Sequence, residues 1–191
     1  MLREFEDYCW RDLLTPEMVK IYAAYRRERA LPKRPALVII HPPAGFTETN
    51  DKWCSRLLTL SAAARAAAMP VIHSVRPTER CDARLGARDA EVICRRTTES
   101  AFLLSDLEAH LTRSGGNGVI LCGAPMSGAL RATAVESKSF GYRTAVAEDA
   151  TGDEAEMLRK MALFDVAHKY ADVMTTEEIV QMLRSRFEAH V

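Results

Sequence analysis

Short apolar runs alternate with longer amphipathic stretches along most of this chain. Ala36-Leu-Val-Ile-Ile-His41 is nearly continuous in apolar, β-branched character, the pattern of a strand buried on both faces. Pro70 to Val75, Gly118 to Cys122 and Arg143 to Ala147 read the same way. Helical patterns run over Asp51 to Met69, Ser105 to Arg113 and Ser127 to Phe140, with a further one over Asp153 to Tyr170 after the last of these strands. Such alternation predicts right-handed βαβ units and a mostly parallel sheet with helices on both faces, a three-layer α/β/α domain. A short strand over Ala171 to Met174 and a helix capped by Thr176 complete it. Ahead of the first strand, Thr15, Pro16 and Glu17 read as an N-cap, a first-turn proline and a first-turn acid, opening a helix over Met18 to Arg29. Leu31 to Arg34, with Pro32 inside, ends that helix. Pro77 to Ala90 has poor periodicity and predicts a long surface excursion.

A length of 191 residues with 48% hydrophobic content suits one core, so residues 1–191 are read as a single domain with an N-terminal helical extension at about 1–33. The 26 basic and 26 acidic residues cancel and form no long run of one sign, which excludes a phosphate-backbone or anionic-membrane binder. Five cysteines at irregular spacings, with no CxxC pair, fit a reducing compartment, and a cytoplasmic location is expected. The stretch MLREFEDYCWRDLL is charged throughout, and no later apolar run approaches the ~20 residues that span a bilayer. Neither secretion nor membrane insertion is expected.

In an open parallel sheet, ligands bind beyond the carboxyl ends of the strands. That rule singles out His41, which ends one strand, His73, late in another, and Gly123-Ala-Pro-Met-Ser-Gly-Ala-Leu-Arg131, which leaves a third and enters a helix. A strand–turn–helix entry offers free N–H groups and a positive dipole end to an anion. His41 and His73 could share a metal, but no third ligand stands at a matching spacing. Ordinary hydrogen-bonded histidines are therefore expected, with no metal and no cofactor.

The segment GAPMSGALRATAVESKSFGYRTAVAEDA resembles the nucleophile region of isochorismatase-like cysteine hydrolases, most closely the N-carbamoylsarcosine amidase and maleamate amidase branch, which reads G-x-S-T-S-G-C-V-R-A. DYCWRDLLTPEMVKIYAAYRRERALPKRPALVII, TESAF and LFDVAHKYADVM resemble other parts of the branch in the same order. The resemblance implies a Rossmann-like three-layer fold and a thiolate that attacks a small C–N substrate, assisted by an Asp and a Lys. It also implies a dimer or tetramer, either of this chain alone or with an active paralogue. The same alignment sets His41 at the Asp position, Arg96 at the Lys position and Ala129 at the Cys position.

Those substitutions have unequal consequences. A methyl at 129 cannot form a thioester. A guanidinium at 96 keeps the charge but is effectively always protonated, whereas His41 has a side chain able to accept protons near neutral pH. The resemblance also implies a cis peptide in the turn and an oxyanion donor at Pro125; Ala124–Pro125 can keep the shape, but proline has no N–H. Cys54, Cys94 and Cys122 are read as buried small hydrophobes rather than replacement nucleophiles, and Ser127 as the cap of the following helix. Arg131 is open between an anionic ligand and an ion pair such as one to Glu136. Glu154 stands where the branch often has an arginine that faces a substrate carboxylate. The favoured reading is a non-catalytic paralogue that binds a small molecule or serves regulation or assembly. The alternative is a hydrolase acting on a small amide or carbamoyl substrate through His41, and a purely structural subunit is the third reading.

Overall fold

The computed structural model describes residues 8–22, 28–44, 46 and 52–188. Six strands form one sheet: β1 (Pro35–Ile40), β2 (Val71–Val75), β3 (Val92–Arg95), β4 (Gly118–Gly123), β5 (Arg143–Thr151) and β6 (Asp172–Met174). Every pair is parallel and the order is β3-β2-β1-β4-β5-β6. The winding direction reverses between β1 and β4, so the connections leaving their carboxyl ends part there and open a crevice. Gly123 ends β4 at φ +112°, and a Cβ there would collide with the carbonyl of Ile40, so only glycine fits this close approach of the two central strands.

Alternation along β1 feeds two cores. Ala36, Val38 and Ile40 join Val119 and Leu121 beneath α3 (Leu107–Arg113), α4 (Arg131–Ser139) and α5 (Glu156–Lys169). Leu37 and Ile39 join Ile120 and Cys122 beneath α2 (Lys52–Ala66) and α6 (Thr176–Glu188). Both faces of the central strands are thus removed from water, which is why their sequences show no polar alternation.

Element bounds depart from expectation in three places. The first helix, α1, spans Pro16–Tyr22, with the Met18 N–H donated to Thr15 Oγ1 at 3.3 Å; residues 23–27 lie outside the described residues, and Glu28 to Ala30 are not helical. Arg29 is instead buried, forked onto Glu178 at 3.0 and 3.2 Å. Before the last helix the cap is Thr175 rather than Thr176: the Glu178 N–H donates to Thr175 Oγ1 at 3.2 Å and Glu178 accepts from the Thr175 N–H at 2.8 Å, a capping box. Thr176 donates through both N–H and hydroxyl to Asp149. Finally, Ser127 does not open an α-helix. Met126–Leu130 is a π-type turn, kinked at Gly128 (φ −103°, ψ −105°), that leads into α4. Among the described residues no helix is long and apolar enough to cross a membrane.

Candidate active-site region

His41 follows β1 and His73 stands in β2, where its ladder partner is Ile39, two residues before His41. Their rings meet with His41 Nε2 2.8 Å from His73 Nδ1, both side chains being fully buried. The surrounding partners fix the tautomers. The Asp82 N–H donates to His41 Nδ1 at 3.0 Å, so that nitrogen holds a lone pair and the ring's proton is on Nε2. His41 then donates to His73 Nδ1, and His73 donates from Nε2 to Glu91 Oε2 at 2.9 Å. Glu91 is in turn gripped by Arg65 at 2.7 and 3.0 Å and by the Arg88 N–H at 2.9 Å.

This chain of donors sets the charges. Burial pushes the His41 pKa down to about 3, and the neighbouring His73 adds to the shift. Burial also lowers His73, against the pull of Glu91. Burial alone would raise Glu91, but its hydrogen bonds from Arg65, His73 and Arg88 prevail and hold the carboxyl at about 2. At neutral pH both imidazoles are uncharged and Glu91 is ionised. Each ring nitrogen is already engaged.

Arg96 follows β3 and is 1% exposed. It donates to the carbonyls of His41 at 3.2 Å and Thr98 at 3.4 Å, while its Nε has no partner. Among the described residues no carboxylate forms an ion pair with it. The structure therefore brings His41, His73 and Arg96 together at one end of the sheet.

On the far side of the crevice, β4 runs into a cis Ala124–Pro125 bond. The turn is pinned to the neighbouring loop: the Met126 N–H donates to Gly152 O at 2.8 Å and the Gly152 N–H to Gly123 O at 3.0 Å. Ala129 is fully buried within the π-helical turn. Thr133 donates to the Ala129 carbonyl at 2.7 Å and accepts from the Ala101 N–H at 3.0 Å. Ser100 donates to Glu136 at 2.6 Å, which ties the same segment to α4 a second time.

Two side-chain roles expected here are corrected. Ser127 is exposed and its hydroxyl caps nothing; its N–H is held at 2.6 Å by Asp153, which also accepts from the Glu154 N–H. A π turn starting at Met126 places the serine inside the turn rather than before it. Arg131 pairs with Asp165 of α5 at 2.7 Å, not with Glu136, because α4 packs against α5 and Glu136 is taken by Ser100. The cysteines fall where they were expected: Cys54, Cys94 and Cys122 are buried, and burial raises the Cys122 thiol and pushes Cys94 up to about 12.

The fold has counterparts among known proteins. Residues 35–178 match the isochorismatase domain. The chain belongs to the isochorismatase family. It is 35% identical over 104 residues to maleamate amidohydrolase of Pseudomonas putida, covering 54% of this chain and 48% of that protein. It is 30% identical over 102 residues to N-carbamoylsarcosine amidase of an Arthrobacter species, covering 53% and 39%. The chain thus spans about half or less of the length of these curated relatives. In fold it superposes on a cysteine hydrolase from Pseudomonas syringae pv. phaseolicola with a TM-score of 0.75 at 18% identity, over 83% of this chain and 96% of that one. An isochorismatase family protein from Burkholderia thailandensis gives 0.74 at 21%, over 83% and 100%.

Sequence reasoning missed Cys81, Asp82, Glu91 and Arg65. The first two lie in the aperiodic 77–90 excursion and Glu91 closes it, and Arg65 ends a helix whose face gives no sign of its partner. The excursion's only signal was a density of charged residues with no core pattern.

Proposed function

We propose that this chain is a non-catalytic member of its family that holds a small amide- or carbamoyl-like molecule, or assembles with an active paralogue, rather than hydrolysing substrate through a covalent intermediate. The observation that carries the reading is Ala129. The resemblance sets the family's nucleophile there, and the structure has a fully buried methyl in the turn that leads into α4. Acyl transfer needs an attacking atom at that point. The buried thiols Cys94 and Cys122 are poor replacements, since burial raises their pKa values. Pro125 supplies no N–H to an oxyanion, and the loss of one such donor lowers a rate by about 10²–10³.

A His41-driven hydrolysis is disfavoured by the same geometry. One nitrogen of that ring accepts from the Asp82 N–H and the other donates to His73, so neither has a lone pair free for water. The maleamate and N-carbamoylsarcosine relatives supply the ligand class, small molecules with a C–N bond.

The test is a hydrolysis assay on a panel of small amides, ureas and carbamoyl compounds, with native protein and the Ala129→Cys and His41→Ala variants. The expected result is no turnover by the native chain, with ligand from the same panel detected by calorimetry or ligand-observed NMR. Native turnover that His41→Ala abolishes would overturn this reading in favour of altered chemistry.

A further inference from the structure

Three potential metal ligands from separate parts of the chain converge beside the crevice. His41, His73 and Cys81 each offer one donor atom, and the three atoms lie within 4.8 Å of one another. Behind His73 stands Glu91 at 2.9 Å, itself clamped by Arg65 and by a backbone N–H. A carboxylate in that position is how proteins orient a metal-binding imidazole, fixing its tautomer and raising its basicity. Here it directs the His73 Nδ1 lone pair toward the cluster. Access exists too. Pro42, next to His41, and Asp82, next to Cys81, line a cavity of about 610 Å³.

We infer that His41, His73 and Cys81 form a three-ligand site for a thiophilic transition-metal ion, with Zn²⁺ the best match. One thiolate with two imidazoles suits zinc or Cu⁺ and is unsuited to Mg²⁺ or Ca²⁺, which take oxygen ligands. Three protein ligands leave the fourth tetrahedral position for water or a small molecule. Loading is an exchange of bonds. The Cys81 S–H breaks, its proton goes to solvent, and a sulfur–metal bond forms. The His41 proton moves from Nε2 to Nδ1, which gives up the Asp82 N–H contact and frees Nε2 for the ion. The His73 Nε2–H bond to Glu91 is kept. One proton is released per ion bound. Bonds of ~2.0–2.1 Å to nitrogen and ~2.3 Å to sulfur require the 2.8 Å ring contact to open by about 0.5 Å, while Cys81 closes in on its excursion. The site is independent of whether the chain turns over substrate.

Reduced, chelator-treated protein titrated with Co²⁺ provides the test. One equivalent is expected to bind, with a thiolate-to-cobalt charge-transfer band and the intense visible bands of a four-coordinate ion, all bleached by Zn²⁺. Cys81→Ser, at a half-buried position that tolerates the change, is expected to lose the thiolate band and to bind at least about 10-fold more weakly. Glu91→Gln is expected to weaken binding by about 10–100-fold while keeping the band. X-ray absorption of the zinc-loaded native protein, which depends on no variant folding, should show one sulfur and two nitrogens. Absence of the band at stoichiometric Co²⁺, its persistence in Cys81→Ser, or zinc with no sulfur neighbour would each overturn the proposal.

Discussion

Beyond β1 and β2 the crevice is walled by side chains that carry or share charge, nearly all of them held by a partner: His41 by Asp82 and His73, His73 by Glu91, Glu91 by Arg65. Beyond β4 it is walled by a methyl, a proline and a backbone turn, with polar atoms used to fasten loops to one another. The first wall depends on electrostatic matching, in which one missing member leaves a buried group unpaired. The second depends on shape, and needs only that the backbone path survive. The backbone path around Ala129 is thus set by shape, while the chain from His41 through His73 and Glu91 to Arg65 is partnered end to end.

Acid breaks this contrast most strongly. His41 and His73 have folded-state pKa values below the ordinary 6.5, and Glu91 sits at about 2 against 4.5. In each case the unfolded chain binds the proton more readily, so the stabilisation is complete above the ordinary value and is lost as pH falls toward the folded one. Urea unfolding of metal-free protein should show stability falling below pH 6.5 and continuing to fall toward pH 3, at up to about 1.4 kcal/mol per pH unit for each group that gains a proton. A flat profile between pH 7 and 4 would contradict the neutral-histidine chain.

Removing one member should cost less than collapsing the whole network. Glu91→Ala strands the His73 Nε2–H and leaves the Arg65 guanidinium with only the Gly86 carbonyl among the described residues, and about 2–4 kcal/mol of stability should disappear at pH 7 by chemical denaturation. On the opposite wall the change should be smaller: Thr133→Val leaves the buried Ala101 N–H without its acceptor, at a cost of about 1–2 kcal/mol. Were the two losses equal, the distinction between an electrostatic wall and a shaped one would fail.

The layered fold was legible because strands buried on both faces read as unbroken apolar runs, and β1, β2, β4 and β5 all do so. His41, His73 and the turn after β4 were found by their place at strand ends. What escaped the sequence spans long separations with no periodic trace. Asp82 reaches His41 across 41 residues, and Arg131 meets Asp165 across 34, where local spacing pointed to Glu136. Ser127 was misassigned for a local reason, since a π turn shifts the helix start and no residue pattern announces it.

The double tie between the 98–102 segment and α4 has a mechanical consequence. Ser100 grips Glu136, and Thr133 spans from Ala129 to Ala101, so the floor beneath the crevice is cross-braced and moves as one stiff plate. The opposite wall hangs on the 76–91 excursion, whose short Ala83–Leu85 helical turn is anchored in the core by Leu85. It too is fastened, by the Asp82 N–H to His41, by Arg65 to the Gly86 carbonyl and by Arg95 to the carbonyls of Pro77 and Glu79. A guest entering the crevice would therefore meet fastened backbone on both sides, braced to a helix on one and to the histidine chain on the other.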